Sequence, residues 1–384
     1  MPSAPNTLSS YIERNKKEWM SVVNKKINVT QSLLPNRKRF HTYIDQILDS
    51  GWLTNRGQSV QKLESKLEEY LGIKNVVLVN NGTTGLQVAY KALGLTGEII
   101  TSPFTFIATA SSAKWEGLNI VFADINPNTL NVDINKIEQN ITDKTSALVP
   151  VHVFGNPCDG EAIDKIARKY NLKVIYDAAH AFGVRFKGKS VLNWGDISLL
   201  SFHATKLFHT IEGGALIIND DDLCEKARKM INFGITGPES IECLGINAKM
   251  NEFQAAMGLC LLDDMEAAII QRGKLIALYD SFLKGKVERQ LWHEAASNNF
   301  SYYPVIFDSE IVMKEVQAAL NAENIFPRRY FYPSLDTLGF LGEYKPMPVS
   351  QDIASRVLCL PLSTVLSEMD IQRISQIILK VLER

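Results

Sequence analysis

Short runs of β-branched and other apolar residues alternate with helical stretches between about residues 75 and 218. Helix-like segments, such as residues 83–93 and 161–170, lie between most of these runs. This alternation predicts an α/β fold in which helices cover both faces of a mainly parallel sheet. Ligands of such folds bind beyond the carboxyl ends of the strands. The predicted strands are residues 75–79, 98–101, 120–123, 147–153, 173–176, 197–200 and 215–218.

Two charged residues fall just beyond predicted strands. Asp177 follows the strand at 173–176, and Lys206 follows the strand at 197–200 in a loop that reads Ser-Phe-His-Ala-Thr-Lys. Pyridoxal phosphate requires a lysine amine for a Schiff base and an anion beside its pyridine nitrogen. The anion keeps the ring nitrogen protonated, and the lysine moves a proton between carbons. Either residue alone predicts little, since most lysines are solvated and many such aspartates cap helices.

The combination is more specific than its parts. Asp177, Ser201 and Lys206, followed by a Glu-Gly-Gly sequence, resemble the pattern of the DegT/DnrJ/EryC1/StrS family of sugar aminotransferases. The similarity extends from about Val29 to the C-terminus. It implies fold type I of the pyridoxal phosphate-dependent transferases, with a large domain around a mainly parallel sheet and a smaller C-terminal α+β domain. It also implies that Lys206 and Asp177 are catalytic.

The resemblance assigns a phosphate site to the start of a predicted helix. Gly82 and Thr83 match the family's phosphate-binding loop, with Asn81 in place of the usual serine. Free N–H groups and the positive end of the helix dipole suit a phosphate there. Ser201 would add its hydroxyl. Taken alone, a Gly-Thr helix start is more often a capped turn.

Two ring-bearing residues complete the implied cofactor site. Phe106 matches the aromatic residue that stacks on the pyridine ring, which holds the ring flat and shields it from water. His180 matches a residue beside the aspartate and is expected to support catalysis. Without the resemblance, Phe106 would be interpreted as a core residue and His180 as the partner of a backbone group.

The resemblance implies that three further residues contact a second subunit or the substrate. Asn247 matches an asparagine that reaches the cofactor phosphate of the neighbouring subunit, which implies a homodimer. Arg328 and Tyr330 match a segment that holds a nucleotide-linked sugar, where arginine forks suit phosphates and aromatics stack on a base or sugar. The choice between Arg328 and Arg329 stays open. A capped surface helix and a solvated loop are the simpler interpretations of these segments.

Length and composition set the remaining expectations. A chain of 384 residues predicts two lobes: a large domain at 29–265 and a small domain at 266–384, after an N-terminal extension at 1–28 with an amphipathic piece at 11–23. The net charge of −1 and the lack of a basic block argue against nucleic-acid binding. The five cysteines have no metal-ligand spacing and predict free thiols. No signal-peptide core or membrane-length apolar run is present, so we expect a cytoplasmic protein with no membrane partner.

The function implied by the resemblance is transamination. An amino acid, expected to be L-glutamate, would donate its amino group to a nucleotide-linked keto-sugar. The loop before Lys206 is most similar to enzymes that aminate carbon 4, commonly of dTDP-4-keto-6-deoxyglucose, for surface polysaccharide. Amination at carbon 3, or amination of another nucleotide-linked keto-sugar, stays an alternative. A sugar dehydratase of this family would have a histidine in place of Lys206; here the lysine is present, although His209 is close in sequence. A non-catalytic protein of this fold would lack Lys206 or Asp177, and both are present.

Overall fold

The computed structural model describes residues 26–384, so the amphipathic piece predicted at 11–23 lies outside the described residues. The strands of this part of the chain are β1 (Ile27–Asn28), β2 (Val76–Val79), β3 (Glu98–Thr101), β4 (Asn119–Phe122), β5 (Thr145–Val149), β6 (Lys173–Asp177), β7 (Arg185–Phe186), β8 (Lys189–Ser190), β9 (Ile197–Ser201), β10 (Gly214–Ile218), β11 (Ile235–Gly237), β12 (Ser240–Ile241), β13 (Tyr303–Ile306), β14 (Ile325–Phe326) and β15 (Val357–Leu360). Its α-helices are α1 (Arg37–Ser50), α2 (Gln58–Leu71), α3 (Gly82–Ala92), α4 (Ile107–Trp115), α5 (Ile134–Gln139), α6 (Gly160–Tyr170), α7 (Asp221–Met230), α8 (Glu252–Leu262), α9 (Met265–Leu283), α10 (Glu310–Ala322), α11 (Pro348–Arg356) and α12 (Glu368–Leu382).

The main sheet has seven strands in the order β2-β10-β9-β6-β5-β3-β4. β10 runs antiparallel to both of its neighbours, and the other neighbouring pairs are parallel. The predicted α/β fold with a mainly parallel sheet is therefore confirmed, and each of the seven predicted strands is present. The strand predicted at 147–153 ends early, at Val149, because Pro150 has no N–H to continue the ladder.

Helices cover both faces of this sheet, and β10 shows why. Its side chains alternate between the two faces, as the pleat of a strand requires. Ala215 and Ile217 belong to one apolar core, whereas Leu216 and Ile218 belong to another on the opposite side. A strand that is apolar at every position is typical of a sheet buried on both faces.

The C-terminal part of the chain forms a separate apolar core. β13 and β15 pair antiparallel, and α9, α10 and α12 contribute to the core beside them. β1 also joins this region, because Ile27 pairs with Ile325 and is buried in the same core. The division into domains at 28/29 and 265/266 stays a prediction. Among the described residues, no helix is both long enough and apolar enough to span a membrane.

Candidate active site

A cavity of about 320 Å³ lies where several parallel strands of the main sheet end. β2, β3, β6 and β9 point the same way, so the loops that follow them meet at one edge, as predicted for ligands of this fold. The structure brings nine of the ten sequence-predicted residues to this cavity. They are Gly82, Thr83, Phe106, Asp177, His180, Ser201, Lys206, Arg328 and Tyr330.

Lys206 projects into this cavity from the loop after β9. Its backbone N–H donates to the carbonyl of His203, which closes a tight turn, and its Nζ lies 3.4 Å from Tyr302 Oη. Lys206 is half-buried. This burial lowers the pKa of Lys206 to about 8, and the charge of Asp177 opposes the shift only in part. At neutral pH, more of the amine is therefore uncharged than in an ordinary lysine.

Asp177 is the last residue of β6 and is only 6% exposed. Its Oδ2 accepts a hydrogen bond from Thr109 Oγ1 at 2.7 Å, and its Oδ1 accepts one from the backbone N–H of Ala179 at 3.1 Å. Each carboxylate oxygen keeps further acceptor capacity. The carboxylate is thus fixed from two sides and can still accept a proton donor from the cavity.

His180 is buried beside this carboxylate. Burial, followed by the charge of Lys206, holds the pKa of His180 well below its ordinary value, so its ring is neutral. Nδ1 accepts a hydrogen bond from the backbone N–H of Phe154 at 3.2 Å. Because Nδ1 acts as an acceptor, the ring proton must be on Nε2. His180 can therefore offer an Nε2–H donor to a ligand.

The start of α3 provides an anion site at the end of β2. The side chain of Asn81 accepts a hydrogen bond from Thr84 N at 2.9 Å, so the residue that replaces the usual serine serves as the helix cap. Helix geometry leaves the N–H groups of Gly82 and Thr83 without intrahelical acceptors. A Cβ atom on Gly82 would lie 3.3 Å from Ser201 Cβ. The Ser201 hydroxyl is therefore close to these donors, and the group fits a phosphate.

Phe106 forms an aromatic wall of the cavity. It is the residue before α4 and is 51% exposed, which is unusual for a phenylalanine. Such a ring is free to stack on a planar ligand. A lysine amine, an anchored carboxylate, a phosphate site and an exposed aromatic ring together fit pyridoxal phosphate.

The two arginines left open by the sequence have different environments. Arg328 lines the cavity, and its guanidinium lies 4.9 Å from the centre of the Tyr330 ring. Arg329 points elsewhere, where its Nη2 donates to Glu310 Oε1 at 3.0 Å and to the carbonyl of Ser355 at 2.8 Å. Arg328 is therefore the arginine available to a ligand, and Arg329 joins two helices.

Asn247 is the predicted site residue that the structure does not bring to the cavity. It is exposed, and its carbonyl accepts a hydrogen bond from Asn80 Nδ2 at 3.3 Å. His209, considered as a dehydratase residue, is also elsewhere: it is 3% exposed, and its Nε2 contacts the carbonyl of Leu33 at 2.8 Å. That contact fixes its ring away from Lys206.

Two residues that sequence reasoning missed contact Asp177 and Lys206. Thr109 donates to Asp177, and Tyr302 contacts Lys206. Thr109 lies 68 positions before Asp177, and Tyr302 lies 96 positions after Lys206. Neither has a local signal, although Thr109 belongs to the same segment as Phe106.

The fold and the donor set define a pyridoxal phosphate-dependent transferase of fold type I. The family model described as the DegT/DnrJ/EryC1/StrS aminotransferase family matches residues 36–379. The chain therefore belongs to this aminotransferase family, as the Lys206 loop predicted, and pyridoxal phosphate is its cofactor.

Individual relatives cover nearly all of the chain. A dTDP-4-amino-4,6-dideoxy-D-glucose transaminase of Shigella dysenteriae is 44% identical over 352 residues, which are 90% of this chain and 96% of the relative. An enzyme of the same name from Escherichia coli is 40% identical, over 93% of this chain and 99% of the relative. The crystal structure of DesI in the presence of its TDP-sugar product matches with a TM-score of 0.89 and 35% identity, over 94% of each chain.

Proposed function

We propose that this aminotransferase moves the amino group of L-glutamate to carbon 4 of dTDP-4-keto-6-deoxyglucose. The products would be 2-oxoglutarate and dTDP-4-amino-4,6-dideoxyglucose, a precursor for surface polysaccharide such as O-antigen. The observation that carries this proposal is the similarity, over nine-tenths of the chain, to two transaminases named for that product. The cavity supports it, because it holds both a lysine amine and an arginine suited to a diphosphate.

The chain's own residues would hold the cofactor as follows. The N–H groups of Gly82 and Thr83, with the Ser201 hydroxyl, would bind its phosphate, and Phe106 would stack on its ring. Asp177 would hold a proton on the ring nitrogen, and His180 Nε2–H would donate to a ring substituent. When bound, pyridoxal phosphate supplies an aldehyde that condenses with amines and a ring that accepts electrons.

Lys206 Nζ would then move the proton. The amine takes a proton from the α-carbon of the amino acid, and in the second half of the reaction it delivers a proton to the sugar carbon that receives nitrogen. The lowered pKa of Lys206, about 8, supports this role because a base must be neutral to accept a proton. Tyr302 Oη, at 3.4 Å, would restrict where the amine can point.

The substrate, the assembly and the compartment are further parts of this proposal. Arg328 and Tyr330 would bind the nucleotide-linked sugar, and Asn247 would complete the site of a second subunit in a homodimer. We place the enzyme in the cytoplasm, with which its five unpaired cysteines are consistent. The dehydratase alternative is disfavoured because Lys206 lies in the cavity and His209 does not.

The test is the visible absorption of the purified protein reconstituted with pyridoxal phosphate. We expect an absorption band that L-glutamate removes and dTDP-4-keto-6-deoxyglucose restores, with the new amine located at carbon 4 by NMR of the product. Lys206→Ala, the control, should give neither the band nor turnover. A wild-type protein that stays colourless would contradict the cofactor site. Restoration by a 3-keto-sugar alone would contradict the proposed carbon.

A further inference from the structure

A chain of buried hydroxyl groups lies behind the carboxylate of Asp177, and the steps above leave it without a role. Thr109 Oγ1 donates to Asp177 Oδ2 at 2.7 Å. On its other side, Thr109 Oγ1 lies 2.9 Å from Thr105 Oγ1. Both threonines are buried, and Thr109 is 0% exposed. Buried hydroxyl groups are held firmly only when each has a partner, and here the partners form one line that ends at the carboxylate.

The donor and acceptor in each hydrogen bond of this hydroxyl chain follow from counting protons. A carboxylate has no proton to give, and Thr109 Oγ1 is the donor in its bond to Asp177, so the single hydroxyl proton of Thr109 points to the carboxylate. Thr109 Oγ1 is then the acceptor in its contact with Thr105, and Thr105 is the donor. The carboxylate is also held at Oδ1 by Ala179 N–H. Rotation of the Asp177 carboxylate would break a charge-assisted bond at one end or the other.

The same short segment carries the residue that would stack on the cofactor. Thr105 and Phe106 come just before α4, and Thr109 lies in its first turn, so the three residues fall within five consecutive positions. A separate hydrogen bond, from Tyr90 Oη to the carbonyl of Thr109 at 3.2 Å, reaches the backbone of that helix and does not involve the hydroxyl chain. One rigid element therefore sets the position of both the aromatic wall and the donor to Asp177.

We propose that Thr109 is a positioning residue for aminotransfer, whose hydroxyl holds the Asp177 carboxylate in the orientation that faces the cofactor's ring nitrogen. This inference rests on the proposed function for its cofactor but not for its sugar. The charge on the ring nitrogen matters whenever a proton leaves a substrate carbon. Loss of the hydroxyl should therefore affect both halves of the reaction equally, whereas a substrate contact would affect only one.

Three variants separate this role from a packing role. Thr109→Val removes the hydroxyl at nearly constant shape, Thr109→Ser keeps it, and Tyr90→Phe removes a buried hydrogen bond to the carbonyl of the same residue. Two quantities should be measured. The first is the dissociation constant of pyridoxal phosphate, from absorbance titration of the cofactor-free protein. The second is the single-turnover rate per bound cofactor with glutamate and, separately, with the keto-sugar.

We expect Thr109→Val to weaken cofactor binding about tenfold and to slow both half-reactions by one common factor, roughly 10 to 100, which is typical for a lost hydrogen bond to a charged group. Thr109→Ser should stay within about threefold of the wild type, since the donor is restored. Tyr90→Phe should match the wild type in both quantities, because it leaves the hydroxyl chain intact.

Several results would overturn the inference. One is a Thr109→Val protein with wild-type affinity and rates; another is a loss confined to one half-reaction; a third is a Tyr90→Phe protein that reproduces the loss. If Thr109→Val does not fold, Thr105→Val tests the hydroxyl chain from its far end. We then expect cofactor affinity and both single-turnover rates to fall about threefold, and unchanged affinity and rates would contradict the inference. If the wild type binds the cofactor but ignores glutamate, the proposed function fails, and the affinity comparison still decides the role of Thr109.

Discussion

The environment of the Lys206 amine makes its reactivity depend on pH near neutrality. Burial lowers the pKa of Lys206 to about 8, so the neutral amine becomes abundant as the pH rises through that value. Only the neutral amine attacks an aldehyde, so the cofactor-free protein should take up pyridoxal phosphate faster with rising pH and level off above about 8. The growth of visible absorption, followed from about pH 6 to about pH 10, measures this. A midpoint near the ordinary lysine pKa would show that the ammonium is solvated.

Adjacent arginines provide a matched pair of substitutions. Arg328→Ala should raise the KM for the nucleotide-linked sugar by roughly 10 to 100-fold with a nearly unchanged Tm, because its guanidinium lines the cavity and contacts Tyr330, which lines the same cavity. Arg329→Ala should lower the free energy of unfolding by about 1–3 kcal/mol, since it leaves the Ser355 carbonyl without this donor and removes one of the two cations that contact Glu310. Steady-state kinetics and thermal unfolding of both variants measure the contrast, and a KM effect confined to Arg329→Ala would reverse the assignment.

The residues of the site differ in how readily they can be predicted from the sequence. Lys206 and Asp177 could be predicted because each follows a recognisable strand and because the loop around Lys206 resembles a family pattern. Thr109 and Tyr302 could not, since a hydroxyl that bonds a residue 68 or 96 positions away leaves no local trace. The choice between Arg328 and Arg329 also needed the structure, because only the direction of each side chain separates them.

The close approach of α3 to β9 gives a prediction at the scale of an element. A Cβ on Gly82 would lie 3.3 Å from Ser201 Cβ and 3.5 Å from its Oγ. Gly82→Ala should therefore push the helix terminus and the Ser201 hydroxyl apart and weaken pyridoxal phosphate binding by about tenfold. Gly339→Ala, where a Cβ meets open space, is the control. Equal affinities in an absorbance titration would mean that this terminus does not hold the phosphate.

Elements were predicted more reliably than their directions. Runs of apolar residues between helices gave all seven strands of the main sheet, yet they did not show that β10 is antiparallel. The reason lies in the connection from β9 to β10, which contains no helix. Parallel neighbours need a crossover, usually a helix, whereas a chain that returns directly forms an antiparallel pair. The loop that carries Lys206 occupies this connection.

At the scale of the whole molecule, the exposed position of Asn247 suggests that one chain does not hold a complete site. Asn247 lies outside the cavity, on a surface where several large apolar side chains are exposed. Exposed apolar groups that lie near one another mark interfaces more often than isolated ones do. They are Phe233, Ile235, Ile241, Leu244 and Ile246. We expect a homodimer by light scattering, in which Asn247→Ala weakens pyridoxal phosphate binding by about tenfold.

Mixed dimers test whether the two subunits share their sites. Lys206→Ala and Asn247→Ala, co-expressed with different tags, give a dimer with one copy of each variant. If Asn247 serves the partner's site, one site of this dimer carries both substitutions and the other carries neither, so about half of the wild-type activity should return. If Asn247 serves its own chain, every site carries one substitution, and the mixed dimer can reach only about half the activity of Asn247→Ala. Assays at a cofactor concentration that leaves the Asn247→Ala protein unsaturated make the two outcomes differ most, because the intact site alone then stays loaded.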